Sequence, residues 1–92
     1  MTRDTAQIIA LEAIRWLATD DDLMALFLTS TGCTAETLKS RVNDPDFLIS
    51  VLDFILMDDK WVIKFCKAVS RDPSMLRGVR AALYDDDEIH WI

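Results

Sequence analysis

Between Asp44 and Asp59 the chain reads DPDFLISVLDFILMDD, and no other stretch limits its fold as tightly. Asp44 is a helix-capping residue, and Pro45 brings a φ already set for the first helical position, where its missing N–H costs nothing. From Phe47 to Met57 the run is apolar nearly all round, broken only by Ser50 and Asp53. A helix of that kind has no face to give to water, so other helices must enclose it. Asp58 and Asp59 close the run and supply the start of the next helix.

The same punctuation divides the rest of the chain. Ile9, Ala13, Trp16 and Leu17 recur at helical spacing around Glu12 and Arg15, which predicts an amphipathic helix over residues 4–18. Asp20 caps a second helix, with Asp21 and Asp22 complementing the positive end of its dipole, and Gly32 stops it in the left-handed conformation. Thr34 caps a third helix bearing Leu38 and Val42. The fourth runs from Pro45 to about Met57, and the fifth, from Asp58, carries Trp61, Val62, Phe65 and Val69. Asp72 and Pro73 repeat the Asp-Pro start for a sixth with Leu76, Val79 and Leu83, ending near Tyr84.

The expected fold is therefore all-α, a compact bundle of five to six short helices. Composition agrees: 92 residues with 51% hydrophobic residues, two glycines and two prolines lie outside the range of disorder and lack the turn residues of an all-β chain. One small core is expected, hiding roughly 60 to 65% of the unfolded surface. Residues 1–84 form one helical domain on this reading, followed by an acidic and apolar tail at 85–92. Shifting the chain by 38 places Asp20 on Asp58, Phe27 on Phe65, Leu38 on Leu76 and Thr34 on Asp72. Two pseudo-repeated three-helix units would produce this alignment, and so would two unrelated amphipathic triplets of similar length.

Ten Lys and Arg stand against sixteen Asp and Glu, a net charge of −6. Such a surface repels phosphate backbones and anionic lipid heads, so neither nucleic acid nor membrane is an expected partner. No uncharged stretch approaches the roughly 20 residues that span a bilayer, and the first residues, MTRDTAQIIALEAIRW, do not follow the signal-peptide pattern. A cytoplasmic location follows as an expectation. Cys33 and Cys66 fit neither a zinc knuckle nor a CxxC, and are read as free thiols.

Three aspartate clusters, TDDDLM, MDDKWV and YDDDEIHWI, invite a metal reading. Hard cations need carboxylates spaced to converge, as in a calcium loop with its central glycine and final glutamate, and consecutive residues at a helix start point in different directions. The first two clusters are accordingly read as caps, and no metal or cofactor is expected. His90 is the only histidine and has no packed element to orient it for general-base work. Asp53 is the carboxylate on the most apolar helix, where a partnership with an arginine or lysine from a neighbouring helix is the expected outcome. The third cluster caps nothing. Ile89, Trp91 and Ile92 follow it as large apolar groups that either cover a gap in the bundle or dock in a groove on another protein or a second copy of the chain.

The run FLTSTG followed by DPDFLISVLDFILMDD, within a short acidic helical chain, resembles a bacterial family catalogued as domain of unknown function family 3572. The resemblance covers about residues 5–83, with its specific part at 44–59, and the segment from Asp85 onward departs from it. It implies a small helical protein of bacterial origin and brings no activity, ligand or catalytic residue.

Two functions fit these parts. One is a protein-interaction module or regulatory adaptor that presents a helical surface or the tail to a protein partner or to itself as a homodimer. The other is a small hydrolase or ligand-binding protein using Asp53 and a cavity between helices. An enzyme needs a pocket with convergent polar groups, whereas an adaptor needs an exposed apolar patch.

Overall fold

The helix starts marked in the sequence carry the caps they imply. In the computed structural model, which describes residues 1–89 and the side chains from Met1 to Tyr84, the Asp20 carboxylate accepts from the Leu23 N–H at 3.1 Å and the Thr34 hydroxyl from Thr37 at 3.1 Å. Asp44 accepts from Asp46 at 3.0 Å, and Asp58 from Lys60 at 2.8 Å. These caps open α2 (Asp21–Thr31), α3 (Ala35–Ser40), α4 (Pro45–Leu56) and α5 (Asp59–Ala68), after α1 (Arg3–Ala18). Gly32 ends α2 at φ 71°, and the Cys33 N–H reaches back to the Leu28 carbonyl at 3.1 Å.

α4 is the enclosed helix. Phe47, Leu48, Ile49, Val51, Leu52, Phe54 and Ile55 are buried along it, and α1, α2, α5 and α6 (Leu76–Ile89) pack around it. α1 contributes Ala6, Ile9, Ala10, Ala13, Ile14 and Leu17, and its alanines leave room for α4 and α6 to approach. An aromatic chain ties the layers together: Phe27 of α2 meets Phe47 and Phe54 edge-on at 5.9 and 5.3 Å, and Phe54 stacks on Trp61 of α5 at 4.8 Å. Trp16 of α1 meets Phe65 at 5.7 Å. Both cysteines are free. Cys66 is buried in this core, and burial raises its thiol above the ordinary value.

The structure departs from the sequence reading in three places. Asp72 and Pro73 open a 3₁₀ turn, Pro73–Met75, before α6 begins at Leu76: the Asp72 carboxylate accepts from the Ser74 N–H at 2.9 Å, and the Met75 N–H closes on the Asp72 carbonyl at 3.1 Å. The backbone of α6 continues past Tyr84 to Ile89, since Asp85–Glu88 contains no glycine or proline to stop it. The likeness at a shift of 38 holds for the caps and for Phe27 and Phe65, but it ends at the third helix. α3 has six residues and buries none of them fully, whereas α6 buries Leu76, Val79 and Leu83.

Candidate functional site

Asp53 is one of the half-buried residues of α4, on a helix otherwise mostly buried. Its two carboxylate oxygens are held by Nε and Nη2 of Arg80 on α6, the second at 3.3 Å. Arg80 stands one turn before Tyr84, whose ring its guanidinium overlies at 5.8 Å. The side chains of Asp53 and Arg80 are 48% and 39% exposed, so the pair sits in a wet rim. Donating to the Asp53 carboxylate pushes the Arg80 guanidinium further above its ordinary value, which keeps it charged. The expected arginine partner of Asp53 is thus in place, on a neighbouring helix.

The rim borders an open depression of about 510 Å³ lined by Asp53, Leu56, Met57, Arg77, Arg80 and Ala81. A second depression of about 330 Å³ shares Leu56 and Arg77 with the first and extends over Val62, Ile63 and Pro73. Asp59 and Ser74 stand at its polar edge. The two make one trough where the end of α4, the start of α5, the 3₁₀ turn and the first turns of α6 converge. Local sequence explains its apolar floor. α5 turns Val62, Phe65 and Cys66 inward at helical spacing, which leaves Ile63 on the outer face between Lys60 and Lys67. α4 ends at its C-cap, Met57, which turns outward because Asp58 must start the next helix. Met57 is 76% exposed and Ile63 56%.

Acidic residues gather elsewhere. Asp20, Asp21 and Asp22 line a polar depression of about 520 Å³ together with Trp16, Thr19 and Lys64. Asp20 serves there as a cap, and the lysine supplies a countercharge. Among the described residues no group of three or more His, Cys, Asp or Glu converges as a metal site would require.

Of the residues singled out in the sequence, Asp53 is in the trough. Ile89 is the last residue of α6, with its side chain beyond those described, and His90, Trp91 and Ile92 lie outside the described residues. Met57, Ile63 and Arg77 were not anticipated as a surface. The signal for Ile63 was its place off the 62, 65, 66, 69 stripe and among three lysines.

These features define a small all-α bundle with a surface trough whose apolar side chains are edged by Asp53, Asp59, Arg77 and Arg80. The chain matches the model of the family described as Protein of unknown function (DUF3572) over residues 3–86, and it belongs to that family. No curated protein and no solved structure matches it. The family match ends at Asp86, before Ile89, Trp91 and Ile92. No helix among the described residues is long and apolar enough to cross a membrane.

Proposed function

We propose that the protein is a protein-interaction module, a small cytoplasmic adaptor whose working surface is the trough around Leu56, Met57, Ile63 and Arg77. The observation that carries this reading is the exposure of Met57 and Ile63 on two depressions that share Leu56 and Arg77. Methionine and isoleucine at 76% and 56% exposure leave apolar area that association would remove from water, at about 25 cal/mol per Å². Methionine also adapts its shape to a partner. Arg77, shared by both depressions, adds a charge to such a contact, and charge at a rim acts chiefly on encounter rate and choice of partner.

The rival reading, a hydrolase or ligand-binding protein using Asp53, draws less support. The Asp53 carboxylate is neutralised by Arg80, and the depression beside it is open to solvent. General-base work asks for a carboxylate free to take a proton inside a water-excluding pocket.

The test uses wild-type protein and Ile63→Glu as baits in an extract of the host, with bound proteins quantified by mass spectrometry. Circular dichroism checks that the variant is folded, as expected for a change at an exposed position. A protein retained by wild type and lost with Ile63→Glu supports the proposal. Identical sets of bound proteins on the two baits contradict it.

A further inference from the structure

Charge is unevenly spread along this acidic chain. Lys60, Lys64, Lys67, Arg71, Arg77 and Arg80 are six of its ten cations, and from Lys60 to Tyr84 only Asp72 opposes them, a local surplus of five positive charges. The next four residues, Asp85, Asp86, Asp87 and Glu88, are all acidic, and Ile89, Trp91 and Ile92 follow. Of the six, Arg77 and Arg80 line the trough, where Asp59 and Asp53 stand with them, while Lys60 and Lys67 flank Ile63 on α5.

Lys60, Lys67 and Arg77 make no ion pair with a described residue. All three are exposed, with Lys60 and Lys67 flanking Ile63 one turn to either side and Arg77 lining the trough opposite. Asp59 is the anion among them, and Asp53 is already taken by Arg80. The exposed Lys60, Lys67 and Arg77 around Ile63 are therefore suited to an anionic ligand with large apolar side chains.

Resting on the proposed interaction role, we propose that the trough receives residues 85–92 of a second copy of this chain. Asp85–Glu88 of one copy face Lys60, Lys67 and Arg77 of the other, and the apolar residues after them cover Leu56, Met57 and Ile63. The chain's own acidic run does not serve, because the backbone of Asp85–Ile89 continues α6 itself. Asp85 is eight residues beyond Arg77 on one helix, about 12 Å farther along its axis, and a continuous helix does not double back onto its own first turn. Each copy then offers one trough and one segment, so two copies close a twofold dimer by exchanging segments, or the contact repeats head to tail into rings or open chains.

Sedimentation velocity of the full chain from micromolar to millimolar concentration tests this with two charge reversals. Lys67→Glu/Arg77→Glu makes the trough acidic, and Asp86→Lys/Asp87→Lys makes the segment basic. Both pairs are at solvent-facing or terminal positions, Glu at 77 favours the start of α6, and thermal melts confirm that each variant is folded. Wild type is expected to grow beyond the single-chain mass of 10.5 kDa as concentration rises. Each reversal alone should weaken association by about tenfold or more, and an equimolar mixture of the two should restore it, because each then meets the opposite charge. Wild type that stays at 10.5 kDa throughout, or a mixture that associates no better than its components, overturns the proposal. If that happens while Ile63→Glu still loses a captured protein, the trough binds a different partner, and the broader interaction role stands without self-docking.

Discussion

Arg71 grips Glu12 through two hydrogen bonds, from Nε to Oε1 at 2.9 Å and from Nη2 to Oε2 at 3.2 Å, joining the turn after α5 to the middle of α1. The backbone aims this arginine. Ser70 takes φ 57°, and the Arg71 N–H closes on the Cys66 carbonyl at 2.8 Å, ending α5 in the manner of a left-handed cap. Glu12 in turn holds the Arg71 guanidinium above its ordinary value. Charge-assisted paired bonds are the stronger kind, but this one is partly exposed and discounted accordingly. Replacing Glu12 by Gln is expected to lower stability by about 1 kcal/mol, with Arg71→Met costing a similar amount and the double variant little more than either. Urea denaturation of the four proteins measures it, and additive losses would mean that the two residues are not coupled.

The aspartates that start α2 and α5 are expected to behave as caps. Substituting Asp20→Ala removes the acceptor for the Leu23 N–H and should cost about 1 kcal/mol. Titration of wild type with Mg²⁺ or Ca²⁺, followed by amide NMR shifts, should leave both helix starts unmoved. Saturable shifts confined to Asp20–Asp22 or Asp58–Asp59 at sub-millimolar metal would assign these residues to a cation.

Much of this bundle is legible in its sequence because side-chain chemistry decides helix starts. Asp20, Thr34, Asp44 and Asp58 each cap through an oxygen within two or three residues, an interaction written locally. The central place of α4 was equally plain from its apolar run. Ser70 was not, because a serine in the left-handed region carries no sequence mark, and tertiary packing places it there. Nor did the end of α6 announce itself: an acidic run opposes the helix dipole at its C-terminal end, which argues for a stop that the backbone does not make. The trough was hidden for a related reason. It is assembled from four elements, and only Ile63, out of step with its helix, hinted at it.

Acid should loosen two of the caps before the core is challenged. Asp44 is held below the ordinary aspartate value of 3.8 first by the Arg41 side chain, with the Asp46 N–H adding to it. Asp72 is held down by the Ser74 N–H and then its hydroxyl. A carboxyl whose folded value lies below its unfolded one adds stability above the unfolded value and loses it as pH falls through the folded one. The contribution of these two groups to the melting temperature should therefore be constant from neutral pH to about 4 and decline below it. Asp44→Asn/Asp72→Asn keeps capping side chains and removes the charges, so thermal melts should show a shallower acid decline than wild type. An identical decline in both proteins would show that neither carboxyl is stabilised by folding.

Photocrosslinking through position 63 tests the account most directly. Benzoylphenylalanine is placed at Ile63 in the trough, and in a control at Leu26, an apolar residue 46% exposed on α2, with irradiation in living cells. Discrete adducts are expected from position 63, to another protein or to a second copy of the chain, with their loss on adding Arg77→Glu and none from position 26. No adduct from position 63, or the same adducts from both positions, would contradict the assignment of the Leu56, Met57, Ile63 and Arg77 trough as the working surface.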